Sequence, residues 1–87
     1  MTKVEIYTWQ YCPFCIRAKT LLNQKAISFI EHKIDGDDYA RGKMIKRTNG
    51  KSSVPQIFIN DVGIGGCDDL YQLDKENKLD NLLNEKS

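Results

Sequence analysis

Val4-Glu5-Ile6-Tyr7-Thr8, Cys12-Pro13-Phe14-Cys15 and Ile16-Arg17-Ala18-Lys19-Thr20-Leu21-Leu22-Asn23-Gln24 follow one another near the start of the chain. The first run alternates in hydrophobicity and reads as a strand. The last reads as a helix, with Ile16, Ala18, Leu21 and Leu22 expected inward and Arg17, Lys19 and Thr20 toward solvent. Two cysteines therefore stand between a strand and a helix mouth. Pro13 suits the first helical turn, where its missing N–H had no partner anyway. A thiol at that entrance meets unpartnered N–H groups and the positive end of the helix dipole. Both favour thiolate, the nucleophile of disulfide exchange. Cys12 is the expected nucleophile. Cys15, one turn deeper, is the expected resolving thiol, so the pair can open and close a disulfide.

Further along, Ile27 to Ile34 reads as a second strand, joined to the first by a helix and hence parallel to it. Asp35-Gly36-Asp37-Asp38 offers N-caps for a helix from Tyr39 to Thr48, with Ala40, Met44 and Ile45 inward and a stop near Asn49-Gly50. Val54 to Ile59 is a third strand. Asn60-Asp61-Val62-Gly63 turns it back into a short fourth, Val62 to Ile64. Asp68 and Asp69 open a third helix through Leu70 and Leu73, and a short tail helix lies around Leu79, Leu82 and Leu83. The order βαβ-α-ββα is an α/β architecture: one four-stranded mixed sheet with helices on both faces. A C-x-x-C between the first strand and first helix of that order is a thioredoxin-like redox pattern.

The chain has 87 residues, which suits one domain over 1–87. Its formal net charge of +1 gives no reason to expect nucleic acid or a membrane surface as partner. No apolar run approaches the ~20 residues that span a bilayer. Met1 to Glu5 carries no apolar signal core, so a cytoplasmic location is expected. Three cysteines with one close pair do not resemble a secreted disulfide framework and suit a reducing compartment. Structural zinc wants four ligands. Cys12, Cys15 and Cys67 supply too few, and His32 lies in a predicted strand, so no metal is expected. His32 has no cysteine or carboxylate at a suggestive spacing and is assigned no role.

Three other features invite a functional reading. Val54-Pro55 opens a strand where proline is tolerated; a cis bond there would present the backbone of Val54 to an extended peptide, while a trans proline is the ordinary alternative. Gly65-Gly66-Cys67-Asp68-Asp69 combines a permissive turn with a helix start. Free N–H groups there can take a carboxylate and an aspartate an ammonium, although Asp as a plain helix cap also explains the pattern. Arg41 and Lys51 are candidates for a ligand carboxylate or solvated surface charges. Trp9, Tyr11 and Phe14 surround Cys12 with aromatic surface. Cys67 reads as a small buried residue.

Taken together, Val4 to Thr8, the Cys12-Pro13-Phe14-Cys15 motif, Met44-Ile45-Lys46-Arg47, Val54-Pro55-Gln56-Ile57-Phe58-Ile59 and Ile64-Gly65-Gly66-Cys67-Asp68-Asp69-Leu70-Tyr71 resemble the glutaredoxin family. The resemblance runs from about Val4 to Leu83. It implies a thioredoxin fold, a cis proline at Pro55 and a glutathione groove. In that groove Val54 would pair with the cysteinyl backbone, Gly66, Cys67 and Asp68 would hold the γ-glutamyl end, Arg41 and Lys51 the glycyl carboxylate, and Tyr11 and Phe14 would also contact glutathione. It further implies reduction of protein disulfides and glutathione mixed disulfides, with glutathione as reductant, disulfide-containing or glutathionylated proteins as partners, and a monomer. Trp9 departs from the family, where lysine is common three residues before the nucleophile. Tyr11 replaces a small residue, Phe14 a tyrosine and Ser53 a threonine. Two rival readings are a redoxin served by thioredoxin reductase and a [2Fe–2S] carrier, the latter disfavoured by the stiffening Pro13.

Overall fold

The structure, a computed structural model, describes residues 2–83. Strand β1 (Val4–Thr8) leads into helix α1 (Pro13–Gln24), strand β2 (Ile30–Lys33) and helix α2 (Asp38–Arg47). Strands β3 (Gln56–Ile59) and β4 (Val62–Gly65) form a hairpin, followed by helices α3 (Cys67–Lys75) and α4 (Leu79–Leu83). The sheet order is β2-β1-β3-β4, with β1 and β2 parallel and the other pairs antiparallel. This is the thioredoxin fold expected from the sequence.

Alternation along the two central strands sorts the core into two layers. Val4, Ile6, Ile57 and Ile59 pack with Ala18, Leu21 and Leu22 of α1, Cys67 and Leu70 of α3 and Leu79 of α4. Tyr7 and Phe58 point the other way, onto Met44 of α2 and Ile34. With both faces covered, every residue of β1 and β3 is buried. Asn60 and Asp61 both take positive φ (51° and 68°), the type I′ geometry that matches the twist of a two-residue hairpin.

Three expectations need correction here. The second strand begins at Ile30, not Ile27: Ala26 takes φ 56° and Ile27 N–H bonds back to Leu22 C=O, so the chain is still leaving α1. Ile27 and Phe29 then pack on the core without joining the ladder. Ile16, expected inward, is 54% exposed, because the buried stripe of α1 runs through Cys15, Ala18, Leu21 and Leu22. The third strand likewise starts at Gln56, past Val54 and Pro55.

His32 has a partner after all. Its Nε2 lies 3.0 Å from Glu5 Oε2 on the neighbouring strand, and its ring stacks on Tyr7 at 4.7 Å. Arg47, at the end of α2, donates to both Glu5 oxygens (3.1 Å each) and to the Tyr7 hydroxyl. Its guanidinium lies 3.9 Å from the Phe58 ring centroid. Glu5, 8% exposed, is thus a charge under the α2 face that Arg47 and His32 satisfy. Among the described residues, no helix is long and apolar enough to cross a membrane.

Candidate active site

Cys12 is the N-cap of α1. Its backbone is extended and its Sγ accepts the N–H of Cys15 at 3.3 Å. Pro13 occupies the first helical turn behind it. This N–H and the helix N-terminus both turn their positive ends toward the sulfur. All three cysteines are free thiols in the structure. Cys12 retains 9% exposure while Cys15 has none. Burial pushes the Cys15 thiol up to about 12, with the neighbouring Cys12 adding to the effect. The two thiols are therefore unequal: Cys12 can meet an outside sulfur, and Cys15 can meet only what Cys12 carries.

Beside Cys12 the chain approaches β3. The Val54–Pro55 peptide is cis, and Cys12 Sγ points at the Val54 carbonyl at 4.0 Å, the outer limit for a sulfur donor. Val54 precedes the first laddered residue of β3, so the sheet does not use its N–H and C=O. Gln56, 4% exposed, fixes this stretch from within: its Nε2 donates to the Ser53 carbonyl (3.0 Å) and Oγ (3.3 Å).

The opposite wall is the β4–α3 turn. Gly65 takes φ 105°, and Gly66 is the N-cap of α3. Asp69 folds back to accept the Gly66 N–H at 2.9 Å, which leaves the next N–H groups of the first turn without helical partners. A Cβ on Gly65 would fall 2.2 Å from Asp69 Oδ2, and one on Gly66 would fall 3.2 Å from the Pro55 carbonyl. Gly65 needs glycine for its dihedral and for the room Asp69 takes, while a side chain at Gly66 would press on the Pro55 carbonyl. Gly65→Ala is expected to cost about 1–3 kcal/mol, read by urea unfolding. Unchanged stability would show that the turn tolerates a side chain. Cys67 starts α3 and is 4% exposed; burial raises its pKa. Tyr71 ties this wall to α1, its hydroxyl donating to the Arg17 carbonyl at 2.9 Å under the Arg17 guanidinium.

Between the walls lies a groove of about 330 Å³ lined by Phe14, Lys51, Ser53 to Gln56 and Gly66 to Asp69. The groove thus gathers Phe14, Lys51, Val54, Pro55, Gly66, Cys67 and Asp68 from the residues singled out in the sequence. Tyr11, 87% exposed, and Arg41, on the exposed side of α2, lie outside its lining. Trp9 stands 42% exposed near Cys12. Sequence reasoning missed Gln56, and it left Asp69 open between a helix cap and a partner for a ligand ammonium; in the structure Asp69 is the cap. Both act by folding back on their own loops, a role for which an amide three residues after Ser53 and an acid three after Gly66 were the available signals.

The sequence model of the glutaredoxin family matches residues 4–64. The chain is 67% identical over 81 residues to a probable glutaredoxin of Synechocystis, covering 93% of this chain and 74% of that one. It is 57% identical over 83 residues to glutaredoxin 3 of Escherichia coli K12, covering 95% and 99%. A crystal structure of a buckwheat glutaredoxin–glutathione complex superimposes with TM-score 0.85 at 26% identity, covering 94% of this chain and 76% of that one. With a reactive dithiol at a helix mouth and these relatives along its length, the chain belongs to the glutaredoxin family of thiol-disulfide oxidoreductases.

Proposed function

We propose that this protein is a dithiol glutaredoxin that uses glutathione to reduce glutathione mixed disulfides and protein disulfides. The groove beside Cys12 carries this reading, because its two walls differ in charge. Lys51 lies on one side and can meet a glycyl carboxylate. Asp68 and the free N–H groups of α3 lie on the other and can meet the ammonium and carboxylate of a γ-glutamyl head. Between them the unladdered backbone of Val54 can pair with the cysteinyl residue. Phe14 adds an apolar flank. Tyr11 and Arg41 are exposed and outside this lining, and their part in the site rests on the family resemblance. The buckwheat relative was solved as a glutathione complex, which supports glutathione as the ligand.

The Cys12 thiolate attacks the glutathione sulfur of a mixed disulfide, and the departing thiolate takes up a proton. A second glutathione thiolate then attacks the Cys12-bound sulfur, releasing oxidised glutathione and restoring Cys12. With a protein disulfide, Cys12 forms a bond to one substrate sulfur and Cys15 displaces it, leaving a Cys12–Cys15 disulfide for glutathione to reduce. The chain would act as one domain over 1–87, as a monomer, in the cytoplasm. The test is NADPH oxidation on a small glutathione mixed disulfide, coupled through glutathione reductase or through thioredoxin reductase. Turnover with glutathione reductase, absent in Cys12→Ser, is the expected result. Turnover supported only by thioredoxin reductase would overturn the glutathione reading.

A further inference from the structure

Cys15 must lose a proton before it can attack, yet it is fully buried. Lys19 follows four residues later on α1, so both side chains lie along one face of the helix. Lys19 was expected to point to solvent. Instead its ammonium is held against β2, 2.8 Å from Glu31 Oε2, with 27% of the side chain exposed. The same Glu31 oxygen accepts the hydroxyl of Thr8 at 2.7 Å, and Thr8 has no exposure at all. Thr8 ends β1, two residues after Ile6, and so faces α1 with the other inward residues of that strand. Thr8, Glu31 and the half-buried Lys19 thus form a polar cluster between α1 and the sheet, one helical turn along from Cys15.

We propose that Lys19, anchored by Glu31 and Thr8, is a positioning residue that stabilises the Cys15 thiolate during resolution of the Cys12 mixed disulfide. In that step Cys15 Sγ–H gives up its proton and its sulfur attacks Cys12 Sγ. A Cys12–Cys15 bond forms, the bond from Cys12 to the substrate sulfur breaks, and the released thiolate ends protonated. Cys15 is oxidised and the leaving sulfur is reduced; Lys19 keeps its proton throughout. The groups that act on Cys15 are Cys12 and Lys19 from its own helix and the Trp9 backbone just past β1. Burial first and then Cys12 oppose its ionisation, while the Trp9 backbone and, to a smaller degree, Lys19 favour it. Glu31, from β2, enters through its pair with Lys19.

The inference rests on Cys15 as the resolving thiol but not on glutathione, so the probe is chosen accordingly. In a Cys67→Ala background, Cys12 is loaded with thionitrobenzoate, and the second release of chromophore reports attack by Cys15. Lys19→Met is expected to slow this release about three- to tenfold and to move its pH profile upward, as loss of a nearby partly screened cation should. Lys19→Arg should restore both rate and profile. The first release, from attack of Cys12 on the reagent, should stay within about twofold, since that sulfur is served by the helix entrance. An unchanged second release in Lys19→Met would overturn the proposal. So would equal slowing of both releases, which marks a general structural effect, or failure of arginine to rescue.

Discussion

Cys15→Ser is expected to release glutathione from small mixed disulfides at close to the wild-type rate, while reduction of a protein disulfide falls about a hundredfold or more. Deglutathionylation needs only the accessible sulfur of Cys12 and a second glutathione from solution. A protein disulfide leaves Cys12 bonded to a bulky partner that hinders an incoming tripeptide. The thiol one turn away acts there at high effective concentration, which no external thiol matches. Cys15 is suited to this task and no other, because it has no exposure and burial pushes its pKa to about 12. Parallel assays on a small mixed disulfide and on a reducible protein disulfide separate the two activities. Equal loss of both would mean that Cys15 supports the site structurally and does not resolve the intermediate.

Arg47→Ala should be among the most destabilising changes outside the core, at about 2–4 kcal/mol in urea unfolding. It removes two hydrogen bonds from a carboxylate that is only 8% exposed, strips a guanidinium from the Phe58 face, and leaves His32 at 3.0 Å and the more distant Lys3 at 3.7 Å as its partners. The same pair sets an acid limb. Arg47, followed by the His32 bond, holds Glu5 at about 2, down from 4.5. The folded value lies below the unfolded one, so the stabilisation is fully present above about pH 4.5 and is lost as pH falls toward 2. Arg47→Ala should flatten that limb. Replacing both partners with apolar residues, as Glu5→Leu with Arg47→Met, should recover much of the stability. A single variant within about 0.5 kcal/mol of wild type would show that water reaches Glu5 and replaces the arginine.

The order of elements and the reactive dithiol were legible because both are written locally. Alternation marks β1, helical spacing marks α1, and the two cysteines sit at their junction. The walls of the groove were readable from Val54-Pro55 and Gly65-Gly66, since proline and glycine restrict or permit backbone where few other residues do. What escaped depends on register. Glu5 and His32 meet across 27 residues only because β1 and β2 run parallel with Tyr7 opposite His32. Lys19 finds Glu31 for the same reason, so its side chain turns to the sheet and Ile16 is left to solvent. A helical wheel shows which residues are charged, not which charges a neighbouring strand will answer.

The sulfur and its helix entrance come from residues 4–24, while most of the groove is lined by residues 51–69. The dithiol and the groove thus lie on separate stretches of chain, joined by the Tyr71–Arg17 tether and the approach of Gly66 to Pro55. Grafting a different second stretch onto the same first one would change which thiol compound is accepted and leave the electron chemistry untouched.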